Sequence, residues 1–318
     1  MNSARAFLDA AHEFGAQLTS VAPLPLALAL ACSLANLLLR SRAWQNILRA
    51  TYPDVNLRYR DVSRAYLAGV GVNEIIPARV GDLVKLFLVK RRAPTTRYPG
   101  LAASLVVETM LDWVIGLALL VWALQAGVLP GLPRLPTIPA FDLSLAARHP
   151  IVSGVVLGAV LTVLIVLSFR VRSFWREFGA GLVILRTPGL YARRVASWQI
   201  LAFGSRLAGA YFFLAAFHVP AALEGALIVQ AAGALASLFP ATPGGLGPKQ
   251  ALLVVMLAGT ASRSEVLAFS VGTELTLVVF NAIVGLIALI SLTGGLHVRR
   301  TIAAARAERS RAEGGRGS

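Results

Sequence analysis

Charged residues are scarce in this chain of 318 residues: only 14% are Asp, Glu, Lys or Arg, whereas 57% are hydrophobic. A soluble domain needs more polar surface than this composition supplies. The composition therefore excludes a soluble globular protein and predicts a protein of the lipid bilayer. Cysteine is almost absent as well. Because Cys32 is the only one, an internal disulfide is excluded.

Signatures of nucleotide binding and of common hydrolases are also missing. The sequence contains no Walker or Rossmann glycine pattern, no H-E-x-x-H and no G-x-S-x-G. Its four histidines are scattered along the chain, which is a poor arrangement for zinc. We therefore expect no metal, no cofactor and no direct use of ATP, and a transporter is favoured over an enzyme.

Long apolar runs predict membrane-spanning helices. None shows the strict alternation that a transmembrane barrel needs. Two further apolar regions, 62–92 and 221–260, are broken near the middle by proline and glycine, which predicts re-entrant or broken helical hairpins. The predicted fold is an all-α polytopic membrane protein with about 7–8 membrane helices or segments. The predicted full spans are 21–40, 100–127, 150–169, 198–218 and 265–296.

The placement of basic residues predicts the orientation. Lys and Arg outnumber Asp and Glu by 30 to 15, and most fall within 40–97, 170–194 and 299–316. Basic segments beside membrane spans stay on the cytoplasmic side. We therefore expect a cytoplasmic C-terminus and an external N-terminus in the inner or plasma membrane. The net charge of +15 then faces anionic lipid, which argues against a nucleic-acid partner.

The two halves of the chain contain the same order of segments. A span, a broken hairpin and a further span follow one another in 20–127 and again in 195–296. With the predicted orientation, these halves are candidates for inverted copies within one transmembrane domain over 1–298. The remaining tail, 299–318, is basic and predicted to be disordered in the cytoplasm, where it either anchors the topology or binds anionic lipid.

Four ionisable residues fall inside predicted spans. Glu108 and Asp112 are four residues apart and share a helix face. Arg206 is expected at a comparable depth and is their natural partner, and Glu274 is the fourth candidate. Such residues either form buried ion pairs that order the bundle, or coordinate a headgroup or relay protons. The sequence leaves both interpretations open.

The two breaks supply the candidate binding residues. At the first break, the guanidinium of Arg79 is expected beside a helix N-terminus, and this combination suits a phosphate group. The alternative is that the Arg79 side chain only extends to the membrane surface. The second break is either a kink or a loop whose amides face a ligand. The candidate headgroup-binding residues are Asn73, Arg79, Asp82, Lys85, Pro243, Gly244, Gly245, Gly247 and Gln250.

Three motifs resemble those of flippase-like membrane proteins related to the transmembrane region of lysylphosphatidylglycerol synthase. The family patterns P-G-R-x-G-E, E-R-x-x-D and P-x-x-P-G-G-L-G-x-x-E correspond to 77–82, 108–112 and 240–250. The third pattern ends in an acidic residue, and Gln250 takes its place in this chain. Glu274 or Asp112 would therefore have to supply any proton coupling. The departures from the patterns are Ala78 for glycine, Asp82 for glutamate, Thr109 for arginine and Gln250 for glutamate.

The resemblance implies that the chain translocates or handles an anionic phospholipid or a polyprenyl-linked lipid across the inner membrane. The chain has no room for the soluble synthase domain, so synthesis of lysyl lipid by this chain alone is not expected. One alternative is a membrane glycosyl- or polyprenyl-phosphate transferase that uses Asp142, or Glu108 and Asp112, as acid or base. The other is a non-catalytic scaffold for a lipid-modifying partner enzyme.

Overall fold

The computed structural model describes residues 21–76, 79–128, 178–179, 181–220, 222–237 and 247–314, with only the course of the backbone beyond 292. The predicted span 150–169 lies outside these residues, as do the candidate binding residues Pro243, Gly244 and Gly245.

The described part of the chain is helical and contains no β-strand. Four of its helical stretches are long and apolar enough to cross a membrane: 23–51, 98–125, 188–216 and 263–292. This confirms the prediction of an all-α polytopic membrane protein. The helices are α1 (Pro23–Thr51), α2 (Tyr59–Ile75), α3 (Val80–Arg92), α4 (Tyr98–Gln125), α5 (Pro188–Tyr191), α6 (Ser197–Ala216), α7 (Leu223–Ala236), α8 (Pro248–Met256) and α9 (Arg263–Gly314).

Helix α1 extends eleven residues beyond the end of the span 21–40 that the sequence predicts. The basic residues that begin at Arg40 suggested the end of a span. The helix continues because its later turns are packed inside the protein: Trp44, Ile47 and Leu48 are fully buried. Their burial in the protein core supplies the stabilisation that the lipid gives the first turns.

The first predicted break is present between α2 and α3. Helix α2 ends at Ile75 and α3 begins at Val80, preceded by Arg79 in the left-handed region with φ 58°. The second apolar region likewise consists of two short helices, α7 and α8, on either side of 238–246. Each pair is therefore a hairpin of helices too short for a full span, as the sequence predicted.

Helices of one half of the chain pack against helices of the other half. Helix α1 packs along α6, α2 packs along α9, and α4 packs against α7. The α2–α9 crossing is close because two glycines meet: a Cβ built on Gly71 would lie 2.7 Å from the Cα of Gly285. A helix of each half thus packs against the hairpin of the other half.

The C-terminal helix α9 has 52 residues and is helical as far as Gly314. The sequence predicted a disordered tail from residue 299. The difference follows from composition, because the tail contains six Arg and five Ala, and both residue types are strong helix formers.

Candidate functional site

A cavity of about 880 Å³ lies between α1, α2, α3, α4, α6 and α7. One end is polar and contains Arg, Lys, Asp and Glu side chains from α1, α3, α4 and α6. The other end is apolar, formed by Leu, Val and Gly of α4 and by Gly233, Ala234 and Leu235 of α7. Trp113 and Leu117 line the cavity and are each 63% exposed, so the cavity opens to the surroundings along α4.

The centre of the polar end is an ion pair between α1 and α4. Arg40 Nη2 lies 2.6 Å from Glu108 Oε1, and Glu108 is only 3% exposed. Tyr66 of α2 joins the pair: its hydroxyl accepts a hydrogen bond from Arg40 Nε and donates one to Glu108 Oε1. The backbone carbonyl of Glu108 accepts a further hydrogen bond from Gln199 of α6. Side chains of α1, α2 and α6 therefore all contact Glu108 of α4.

Asp112 extends the network one turn along α4. Its Oδ2 lies 2.6 Å from Arg40 Nη2, and its Oδ1 lies 3.7 Å from Arg206 Nη1. The sequence predicted Arg206 as the partner of both carboxylates. In the structure that role belongs mainly to Arg40, and Arg206 is a weaker, outer partner of Asp112 alone. The Nε of Arg206 is buried without a hydrogen-bond acceptor among the described residues.

The first break contributes a second polar group to the same cavity. Asn73 of α2 accepts a hydrogen bond from the backbone N–H of Gly81 at 2.7 Å and donates one to Asp82 at 3.3 Å. Lys85 Nζ lies 2.9 Å from Asp82 Oδ1 and 4.3 Å from the centre of the Tyr66 ring. These contacts hold α2 and α3 together across the break.

Arg79 occupies the N-cap position of α3 and lines the cavity. It is exposed, and the described part of the chain provides no hydrogen bond or ion pair for its side chain. The helix N-terminus beside it is partly occupied, because Asn73 binds the N–H of Gly81. A ligand at Arg79 would thus be held by the guanidinium more than by free amides.

The second break gives a different arrangement. Gly247 precedes α8 with φ 95°, a conformation that favours glycine, and its N–H donates to the side chain of Gln250 at 2.6 Å. Gln250 therefore caps a helix. Glu274 pairs with Lys249 at 2.6 Å, not with Glu108, Asp112 or Arg206. None of these residues of α8 and α9 is among the described residues that line the cavity.

The structure thus divides the candidate residues into two groups. Most of the predicted charged and polar candidates meet in one cavity, whereas Gly247, Gln250 and Glu274 lie in another part of the bundle. The cavity brings together Asn73, Arg79, Asp82, Lys85, Glu108, Asp112 and Arg206.

Sequence reasoning missed two members of the network, Arg40 and Tyr66. Arg40 was grouped with the basic residues that set the topology. The signal that identifies Arg40 is the set of apolar residues that follow it in the same helix. Trp44, Ile47 and Leu48 come four, seven and eight residues later, which places them on the same helix face as Arg40, and all three are buried. Tyr66 carries no charge, and no signal in the sequence separates it from other aromatic residues near the membrane surface.

A family model described as the lysylphosphatidylglycerol synthase TM region matches residues 6–285. The match includes both breaks and every residue of the cavity network. Curated proteins and solved structures give no match.

Proposed function

The chain belongs to the family of the lysylphosphatidylglycerol synthase TM region, and on that basis we propose that it translocates an anionic phospholipid or a polyprenyl-linked lipid between membrane leaflets. The family supports a membrane protein linked to lipid handling. The cavity supports the finer statement, because it joins a charged end to an apolar end that is open along α4.

The amphipathic cavity is the observation that carries the proposal. A lipid has a polar headgroup and apolar chains, and a protein that moves it has to accommodate both. The polar end offers Arg40, Arg79 and Arg206 as donors, and the apolar end offers small and aliphatic side chains. A volume of about 880 Å³ suits a headgroup with the first part of its chains, and the rest of the chains would lie in the bilayer beside Trp113 and Leu117.

The charge of the cavity favours an anionic headgroup. Four cationic side chains (Arg40, Arg79, Lys85 and Arg206) face three carboxylates. Two of the cations are neutralised at short distance, Arg40 by Glu108 and Asp112, and Lys85 by Asp82. Arg206 and Arg79 remain the most available. An arginine in a partly dehydrated site is well suited to a phosphate group, because its planar fork donates two parallel hydrogen bonds.

The alternative of a glycosyl- or polyprenyl-phosphate transferase has less support. Its acid or base would be Glu108 or Asp112, and both carboxylates accept short hydrogen-bonding contacts from Arg40. Both carboxylates are thereby engaged in ion pairs that join α4 to α1. Its other candidate, Asp142, lies outside the described residues. We therefore propose a translocase and not an enzyme.

Reconstitution into liposomes tests the proposal. Vesicles with and without the protein are loaded with a fluorescently labelled anionic phospholipid in both leaflets, and a membrane-impermeant quencher reports the fraction that becomes accessible with time. We expect faster exchange between leaflets with the protein than in protein-free vesicles. A labelled polyprenyl phosphate is measured in parallel. No exchange of either lipid above the protein-free rate would contradict the proposal.

Charge-neutral variants separate a translocase from a scaffold. Arg79→Gln, Glu108→Gln and Asp112→Asn are expected to slow lipid exchange while the protein still elutes as a folded species in detergent. Arg193→Gln is the matched control, because Arg193 is exposed on the short π-helical turn before α6. A protein that acts only as a scaffold would tolerate all four changes in a complementation assay.

A further inference from the structure

The charged side chains that line the cavity fall into two paired groups and one unpaired residue. The first group is the network between α1, α4 and α6. Arg40 Nη2 lies 2.6 Å from an oxygen of Glu108 and 2.6 Å from an oxygen of Asp112. Arg206 Nη1 lies 3.7 Å from the other oxygen of Asp112. Two guanidinium groups therefore face two carboxylates, and the formal charge of this group is zero.

The second group is the pair of Asp82 and Lys85 on α3. Lys85 Nζ lies 2.9 Å from Asp82 Oδ1, and Lys85 is only 5% exposed, so its charge is compensated where it has little access to water. This pair also has a formal charge of zero. Arg79, at the N-cap of α3, is the remaining charged residue of the lining. It is exposed and has no ion pair among the described residues, so its positive charge is unpaired.

Residues of the breaks that lie outside the described part of the chain do not change this count. The segments 77–78 and 238–246 contain no ionisable side chain, and the predicted span 150–169 contains none either. Four positive and three negative side chains line the cavity, so one positive charge is in excess. A headgroup bound in the cavity therefore meets a single uncompensated positive charge.

The available hydrogen-bond donors of the cavity suit a phosphate group. Arg206 Nε is buried and has no acceptor among the described residues. The side chain of Arg79 likewise donates no hydrogen bond within the described part of the chain. Arginine binds phosphate oxygens through its planar fork of N–H groups. A phosphodiester keeps two unesterified oxygens as acceptors and carries one negative charge, which matches the excess charge of the cavity.

We propose that the cavity selects a headgroup with one negative charge, held on a phosphodiester, over a phosphomonoester with two charges and over a zwitterion. A charge that is withdrawn from water is unfavourable unless an opposite charge compensates it. A single negative charge brings the occupied cavity to neutrality. A second negative charge has no partner there, and a zwitterion leaves Arg79 uncompensated. This inference rests on the proposed function of the cavity as a lipid site and specifies the class of headgroup.

Binding of short-chain lipids to the full chain in an uncharged detergent tests the selection. The probes are phosphatidylglycerol, phosphatidic acid and phosphatidylethanolamine with identical acyl chains, at a pH of about 8, where a phosphomonoester with a second pKa of about 6 carries two charges. Affinities follow from the rise of the unfolding temperature with lipid concentration. We expect phosphatidylglycerol to bind up to about fivefold more tightly than the other two, the range of an exposed ion pair. Attraction by the net charge of +15 alone would rank phosphatidic acid first.

Variants that change the charge of the cavity are expected to change the ranking of the lipids. Arg79→Gln removes the excess charge, so phosphatidylglycerol loses its advantage over phosphatidylethanolamine. Asp112→Asn leaves two positive charges in excess, so phosphatidic acid binds most tightly, and Asp82→Asn gives the same charge where Asp112→Asn fails to fold. The double variant Asp82→Asn with Lys85→Met keeps one positive charge in excess, and phosphatidylglycerol stays first. Arg193→Gln removes the same charge as Arg79→Gln from the exposed turn before α6 and is the matched control, with an unchanged ranking.

A phosphodiester with one charge occurs both in glycerophospholipids and in polyprenyl-linked sugars. A short prenyl phosphate and its sugar phosphodiester are therefore measured in the same way. We expect the sugar phosphodiester to bind more tightly than the prenyl phosphate. Its affinity relative to phosphatidylglycerol then shows which of the two lipid classes the cavity accepts.

Two results would overturn the proposal. One is binding of phosphatidic acid to the unchanged protein at least as tightly as phosphatidylglycerol. The other is a ranking of the lipids that Arg79→Gln leaves unchanged. Leaflet exchange in vesicles separates this inference from the proposed function. If the ranking follows the charge of the cavity and no lipid is exchanged, only translocation has failed. If lipids are exchanged and the ranking does not follow the charge, only the headgroup selection has failed.

Discussion

The guanidinium of Arg40 donates two hydrogen bonds to one carboxylate oxygen of Glu108, from Nε at 2.9 Å and from Nη2 at 2.6 Å. The pair joins α1 to α4 at the polar end of the cavity. Glu108 is 3% exposed, so its charge has little access to water. In this position the carboxylate depends on Arg40 for compensation, and the shape of the cavity depends on the pair.

Replacement of Arg40 tests this dependence. Arg40→Met is expected to lower the free energy of unfolding by about 3–5 kcal/mol, because it leaves a buried carboxylate without its partner. The measurement is unfolding in mixed micelles with a graded denaturing detergent. The double variant Arg40→Met with Glu108→Gln is expected to recover part of the loss. A double variant that is less stable than Arg40→Met would contradict the assignment of Arg40 and Glu108 as a compensating pair.

The Arg40 pair shows what the sequence predicts well and what it does not. Long apolar runs predict spans because length and hydropathy are local properties, and the break at Pro77 is local as well. Partner choice is not local. Arg40 and Glu108 are 68 residues apart, and the sequence indicated Arg206, expected at a comparable depth, as the partner. Only the packing of α1 against α4 decides between them.

The contact of Gly71 with Gly285 leads to a prediction on stability. Gly71→Ala places a methyl group against the backbone of α9 and is expected to cost about 1–3 kcal/mol through overpacking, in spite of the higher helix propensity of alanine. Gly204→Ala is the control: Gly204 is exposed in α6, and a Cβ there meets no atom within 4 Å. Unfolding measurements in which the two variants are equally stable would show that α2 and α9 separate easily.

A bulky residue inside the cavity is expected to block lipid without unfolding the protein. Gly233 lines the apolar end, and a Cβ there meets no atom within 4 Å. The side chain of Gly233→Phe therefore has room to enter the cavity. We expect the rate of leaflet exchange to fall several-fold in the vesicle assay, while Gly204→Phe, which adds the same side chain to an exposed position, keeps the rate. Equal rates in the two variants would exclude the cavity as the lipid path.

The second break illustrates a different limit of sequence reasoning. Glu274 was grouped with Glu108 and Asp112 because all three are acidic residues within predicted spans. Depth along a helix axis, which the sequence gives, does not fix the direction in which the side chain points. In the fold, α8 brings Lys249 to Glu274 at 2.6 Å, and this contact depends on the hairpin of α7 and α8.

Arg206 is expected to determine the preference for anionic lipid. Its Nη1 is 3.7 Å from Asp112, and its Nε is buried without an acceptor among the described residues, so a phosphate oxygen would find an available donor there. A hydrogen bond to a charged group contributes about 1.5–3 kcal/mol. Arg206→Gln is therefore expected to lower the ratio of anionic to zwitterionic phospholipid exchange by roughly tenfold or more. Arg193→Gln, on the exposed turn before α6, serves as the control and should leave the ratio unchanged. If Arg206→Gln slows both lipids equally and the ratio persists, Arg206 supports the cavity wall and headgroup selection rests on Arg79.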